Sequence, residues 1–118
     1  MRPEDRDPAY LLDIVLAARK AGEYLGQRDA AMLSADELVL SAIEHNLIVI
    51  GEAARRISPA FHEQHPEVAL GKAIGMRNIL VHEYGRVDVE EVWRTVRDDL
   101  PALVTALESL LPTAPAGE

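Results

Sequence analysis

The chain has 118 residues and an apolar fraction of 48%, enough for one domain with a real hydrophobic core. Cysteine is absent, which excludes disulfides, thiolate metal sites and a cysteine nucleophile, and makes a reducing cytoplasm the expected setting. The formal net charge of −8 argues against a general electrostatic grip on nucleic acid, and the absence of a signal-like core in Met1 to Pro8 or of a membrane-length apolar run makes secretion or membrane insertion unexpected.

In chain order, Asp7 as N-cap and Pro8 as first helical residue announce a first helix, with apolar residues at Tyr10, Leu11, Ile14, Ala17, Ala18, Ala21 and Leu25. Gly26 and the polar residues after it end that pattern. Ser34 with Glu37 three residues on forms a capping box for a second helix through Leu40, Ile43, Leu47, Ile50 and Ala54 to Ile57, closed by Pro59. Ser58 to Pro66 reads as a polar connection with one helical turn around Phe61. A third helix is expected from about Glu67 to Tyr84. Gly71 and Gly75 weaken its first half by roughly 1 kcal/mol each relative to alanine, so close approach of another helix or subunit is their physical use.

Gly85 ends the third helix, and Asp88 with Glu91 caps a fourth that carries Val89, Val92, Trp93, Val96 and Leu100. Pro101 removes a donor inside this pattern, so the helix either kinks or restarts with Asp98 or Asp99 as cap; a kink or brief break is favoured. From Pro112 the tail of Pro, Ala, Gly and Thr is expected to be disordered. The sum is an all-α chain. One domain over residues 1–111 is expected to fold as an antiparallel up-and-down bundle of four to five helices, an architecture that by itself implies no function.

Chemistry concentrates in Arg77-Asn78-Ile79-Leu80-Val81-His82-Glu83-Tyr84. Lys72, Arg77 and Arg86 face only Glu83 between Gly71 and Arg86, so this neighbourhood is locally positive. On a helical projection with Arg77 at zero, Val81 falls at about 40°, Ile74 at about 60°, Asn78 at about 100°, His82 at about 140° and Tyr84 at about 340°. Met76, Ile79 and Leu80 take the opposite arc and can serve the core. Histidine exchanges protons near neutrality and arginine offers a fixed donor fork to phosphate. Together they suit metal-free phosphodiester cleavage: imidazole accepts the proton of a ribose 2′-hydroxyl and guanidinium stabilises the phosphorane. Asn78 can orient the imidazole or hold a phosphate oxygen. The partly apolar surface flanked by Arg77 and His82 suggests a homodimer contact across a two-fold axis.

The same stretch resembles the R-x4-H-x-Y signature of HepT-like toxins in the HEPN superfamily of all-α ribonucleases. Ile50-Gly51-Glu52-Ala53-Ala54-Arg55-Arg56-Ile57-Ser58 resembles that family's second-helix segment, and Val87-Asp88 through Val92-Trp93 to Asp99-Leu100-Pro101 its fourth, so the likeness extends from Tyr10 to Leu111. The resemblance implies a metal-independent endoribonuclease toxin of a type VII-like toxin–antitoxin system, homodimeric, with Arg77 and His82 catalytic, Asn78 supporting, and a tRNA or mRNA as substrate. It further implies that Tyr84 accepts AMP from a minimal nucleotidyltransferase antitoxin of the MntA type. That partner would consume ATP, while the chain itself would need no cofactor or metal. Arg77 and Tyr84 nearly in line on one helix would let the added nucleotide block the site. The chain departs from the family in having Ala69-Leu70-Gly71 and Gly85-Arg86 where aromatic residues are frequent, which touches packing and RNA contact more than catalysis.

Other residues have plainer readings. His62-Glu63-Gln64-His65 invites a metal site, yet its histidines are three apart before Pro66, not four apart on a stable helix. His45 beside Glu44 reads as a partly exposed helix residue. Glu52 is either a carboxylate paired with a basic group such as Arg77 of either chain, in a supporting role, or a solvated position, and Gly51 would permit a close helix crossing there. Trp93 reads as core. Arg55, Arg56, Arg94 and Arg97 read as surface charges that can extend an RNA groove. The alternative function is a non-catalytic helical partner of a nucleotidyltransferase or nucleotide, which the acidic net charge favours; a structural dimer with a fortuitous Arg-His pair is the plainest.

Overall fold

In the computed structural model, which describes residues 2–111 and of Tyr84 only the backbone, every regular element is helical. The tail expected at 112–118 lies outside the described residues. Helix α1 (Asp7–Leu25) follows a short 3-10 turn, Pro3–Arg6. Its predicted stripe is the buried one, from Leu11 and Ile14 through Ala21 to Leu25, and Gly26 ends it with φ 54°, a conformation costly for any residue with a Cβ.

Asp7 is a correction. It is the first helical residue, with Arg6 before it, and does not cap its own helix. Its carboxylate is buried and serves a distant segment, accepting the Ser58 N–H at 2.9 Å and the Ser58 hydroxyl at 2.6 Å. Ser58 in turn is the N-cap of α4 (Pro59–Gln64), its Oγ accepting the Phe61 N–H at 3.2 Å. One hydroxyl thus satisfies a buried charge and caps a helix. Ser58→Ala should cost about 2–3 kcal/mol, the combined scale of a cap and a hydrogen bond to a charged group; an unchanged urea midpoint would contradict the coupling.

The predicted second helix is present over Glu37–Arg56, starting three residues later than expected, and a short helix that the sequence reading did not anticipate precedes it. Asp29 caps α2 (Ala30–Ala35) by accepting the Met32 N–H at 2.8 Å, and fully buried Leu33 anchors it. Asp36 then leaves the helical region and caps α3 (Glu37–Arg56) by accepting the Val39 N–H at 3.2 Å. Ser34 therefore lies inside α2 and the Ser34–Glu37 capping box does not form, because Asp36 lies closer to the start of α3 and supplies the acceptor.

The third predicted helix is shorter at both ends: α5 is Gly71–His82. Val68 and Leu70 are buried from a non-helical segment after Pro66, so the chain is anchored before the helix begins. At the other end Glu83 leaves helical geometry, and Tyr84–Arg86 forms a separate 3-10 turn. Met76 and Leu80 are buried as expected, with Ile79 only partly so. Among the described residues no neighbouring atom lies within 4 Å of a Cβ built at Gly71 or Gly75, so neither marks a close approach to them. Gly75 instead lines a cleft of about 610 Å³ shared with Met76, Arg94, Asp98 and Leu103.

Asp88 caps α6 (Val89–Arg94) as predicted, its carboxylate accepting the Glu90 N–H at 3.0 Å. The expected kink or break takes the form of a π-helical turn, Thr95–Asp99, that runs into α7 (Leu100–Glu108), with neither Asp98 nor Asp99 making a side-chain cap. The wider turn accommodates the missing donor and the ring of Pro101 without ending the helix. Trp93 packs against the core, donates from Nε1 to the Arg28 carbonyl at 2.9 Å and carries the Arg97 guanidinium over its ring. Arg28 also donates to the Tyr24 carbonyl at 2.8 Å, fastening the end of α1.

Helix α3 organises the packing: it lies against both α1 and α5, while α7 packs on α1 and α6 on α2. No helix among the described residues is long and apolar enough to cross a membrane.

Candidate functional site

The site begins at the crossing of α3 and α5. A Cβ on Gly51 would sit 2.1 Å from the Arg77 Cβ and 2.8 Å from the Ala73 carbonyl oxygen. Only a glycine lets the two backbones approach this closely, and the approach seats the Arg77 stem on the face of α3. Arg77 is consequently mostly buried, its side chain 16% exposed.

Burial of a guanidinium demands partners. Glu52, next in sequence to the glycine, brings Oε1 to 2.5 Å from the Arg77 Nε. The oxygen lies off the direction of the Nε–H, which is left without an aligned acceptor. The contact is therefore an ion pair more than a hydrogen bond, and the guanidinium is held by charge without being fully satisfied. Asn78 completes the support: its Oδ1 accepts from the Arg77 Nη1 at 3.0 Å. The amide thus engages the arginine directly. Asn78 and His82 are four residues apart on α5 and so are neighbours on one exposed face. The hydrogen bond draws the guanidinium toward the side of the helix that carries the imidazole.

His82 is the last residue of α5 and is exposed, with no hydrogen-bond or ion-pair partner among the described residues. It is thus open to a ligand. Val81, 38% exposed, supplies an apolar surface beside Arg77. Tyr84 lies two residues past the end of α5, in the 3-10 turn, with exposed Glu83, Gly85 and Arg86 around it. Its expected alignment with Arg77 along one helix is therefore corrected, because the backbone changes direction at Glu83 before Tyr84 is reached.

The sequence reading of Arg55 as an ordinary surface charge missed a contact. Arg55 places Nη1 3.2 Å from the same Glu52 Oε1 that meets Arg77. Three residues' spacing on a helix was the available signal. About two turns earlier on α3, partial burial raises the Glu44 carboxyl above the ordinary carboxylate range. His45 is exposed, as anticipated.

The other histidines do different work. His65 stacks near the Phe61 ring at 4.8 Å between centroids and meets Glu67 at 3.4 Å, and His62 lies edge-on to Phe61. No group of three or more His, Asp or Glu side chains able to share a metal ion occurs among the described residues.

Chemically, the α3–α5 crossing presents a fixed guanidinium, a carboxamide and a solvent-facing imidazole on one helix. Residues 14–110 match the family model described as "Ribonuclease HepT-like". The chain is similar to "Probable ribonuclease HepT" of Thermococcus cleftensis, 34% identical over 101 residues that cover 86% of this chain and 92% of that protein. It is also similar to "Putative RNase MJ1380" of Methanocaldococcus jannaschii, 32% identical over 100 residues covering 85% and 92% of the two chains. No solved structure gives a significant match. With a family match across most of its length, the chain belongs to the HepT-like ribonucleases.

Proposed function

We propose that this protein is a metal-independent endoribonuclease that acts as a toxin and is silenced by AMP transfer to Tyr84. The observation that carries the reading is the placement of Arg77: buried at a glycine crossing, charge-paired to Glu52 and drawn by Asn78 toward the face of His82. In the reaction, His82 takes the proton of a ribose 2′-hydroxyl as its oxygen bonds to phosphorus. Arg77 stabilises the charge on the phosphorane, and as the bond from phosphorus to the 5′-oxygen breaks that oxygen takes a proton from water while His82 returns its own to solvent, giving a cyclic phosphate and a 5′-hydroxyl. Two copies are proposed to face each other across the surface that includes Val81, so that each cleft carries residues of both chains.

Silencing is proposed to come from a nucleotidyltransferase partner that uses ATP: the tyrosine oxygen bonds to the α-phosphorus and pyrophosphate leaves. The exposed residues on either side of Tyr84 support access for such an enzyme, and the added nucleotide would bring bulk and negative charge to a position two residues from His82.

The test uses the chain produced alone and together with a nucleotidyltransferase encoded beside it. Produced alone, it should cut RNA in the presence of a chelator and arrest growth. Produced with its partner, its intact mass should increase by one or more AMP groups, Tyr84→Phe should abolish the increase, and cleavage should stop. Unmodified protein that leaves RNA intact would instead favour the non-catalytic binding partner, a reading the net charge of −8 also suits.

A further inference from the structure

We propose that Arg55 is a second phosphate-binding residue of this site, so that the RNA backbone is gripped by a pair of arginines joined through one carboxylate. The inference rests on the ribonuclease reading above and extends it to how substrate is held. Oε1 of Glu52 is shared by the Arg77 Nε at 2.5 Å and the Arg55 Nη1 at 3.2 Å, so the two guanidinium groups are next to one another. Their environments differ in a useful way: the Arg77 side chain is 16% exposed and the Arg55 side chain 48%. One is a fixed anchor and the other an arm in solvent.

Among the ion-paired arginines this cluster stands apart. Arg19, Arg28, Arg86 and Arg94 each face a carboxylate of their own, Glu108, Asp36, Glu83 and Glu90, while Lys20, Arg56, Lys72 and Arg97 face none among the described residues, and of these Arg56 directly follows Arg55 on α3. At Glu52 two cations share one anion, leaving a local excess of positive charge on a chain whose formal net charge is −8. A polyanion approaching such a chain is attracted only where positive charge locally exceeds negative. Arginine's planar fork then suits it to phosphate, since donors not used on Glu52 remain for the ligand's oxygens. A structural role for Arg55 is a poor rival. An exposed pair three residues apart on a helix contributes little to stability, so it predicts no effect of Arg55 on RNA binding.

The experiment measures binding of a labelled single-stranded oligoribonucleotide to the full chain carrying His82→Ala, over a range of salt concentrations, with and without Arg55→Gln. Arg19→Gln, on the α1–α7 side, is the control for loss of the same charge elsewhere. Arg55→Gln should weaken binding about tenfold at low salt and reduce the slope of log K against log salt by about 0.7, the share of one phosphate contact on a single strand. Arg19→Gln should do neither. Equal affinity and slope with and without Arg55, in a chain whose unmutated form cuts RNA, would overturn the proposal and leave the ribonuclease reading standing. Equal losses from Arg55→Gln and Arg19→Gln would also overturn it, as a general charge effect. If the unmutated chain cuts no RNA and the His82→Ala chain binds none, the ribonuclease reading fails and this proposal falls with it.

Discussion

Arg77→Ala and His82→Ala should each lower the rate of RNA cleavage by about a hundredfold or more, the scale expected for loss of a positioned charge stabiliser or of a general acid–base group. The two losses should differ in their side effects. His82 is exposed and has no partner among the described residues, so its removal should leave the unfolding midpoint unchanged. Arg77 is mostly buried against α3, and its removal takes away that packing and leaves the half-buried Glu52 with the more exposed Arg55 as its partner, so some stability should be lost as well. Arg77→Lys should recover little activity, because the donors of an ammonium converge on one nitrogen, whereas the guanidinium reaches Glu52 from Nε and Asn78 from Nη1 and keeps a planar fork for a phosphate. Cleavage of a fluorogenic oligoribonucleotide by the parent and by variants purified in parallel measures all three. Either alanine variant cutting within twofold of the parent would remove that residue from the mechanism.

Gly51→Ala is the substitution with the largest expected structural effect for its size. Helix propensity alone favours alanine by about 1 kcal/mol at a helix interior. Against this stands a methyl 2.1 Å from the Arg77 Cβ and 2.8 Å from the Ala73 carbonyl oxygen. Neither atom is the end of a flexible side chain, so the α3–α5 crossing itself must open. Overpacking of this kind typically costs about 1–3 kcal/mol, and contacts this short belong at or above the upper end. The net result should be a destabilisation of about 2 kcal/mol or more, read as a lower urea midpoint. Activity should fall further than stability explains, because opening the crossing separates Arg77 from Glu52. A more stable Gly51→Ala chain with parental activity would show that the close crossing is dispensable.

Much of the site was legible because its chemistry is local. Arg77, Asn78 and His82 fall within six consecutive residues, so helical periodicity alone placed Asn78 and His82 on one face. Gly51 beside Glu52 also allowed a close crossing and a pairing with Arg77 to be anticipated. The geometry supplies the within-chain version of that pairing. Tyr84 was misplaced for an equally local reason: Gly85 is the residue type that ends helices and set the expected boundary, whereas the backbone turns at Glu83 and the Arg86 N–H bonds to the Glu83 carbonyl at 2.7 Å. Side-chain patterns do not report where main-chain hydrogen bonds stop. Asp7 and Ser34 failed similarly, since each has cap chemistry and only the fold reveals which helix end each actually serves, if any.

By itself the sequence determined that the chain is helical, which stripes of α1 and α3 are buried, and which side chains carry the chemistry, because 3.6-residue periodicity and residue type are properties of short segments. Tertiary structure alone decided the close α3–α5 crossing, the sharing of one Glu52 oxygen by Arg55 and Arg77, the use of Asn78 on the arginine, and the buried bond between Asp7 and Ser58, 51 residues apart. These depend on where rotamers and backbones meet once helices pack, and most of them join groups distant in the chain.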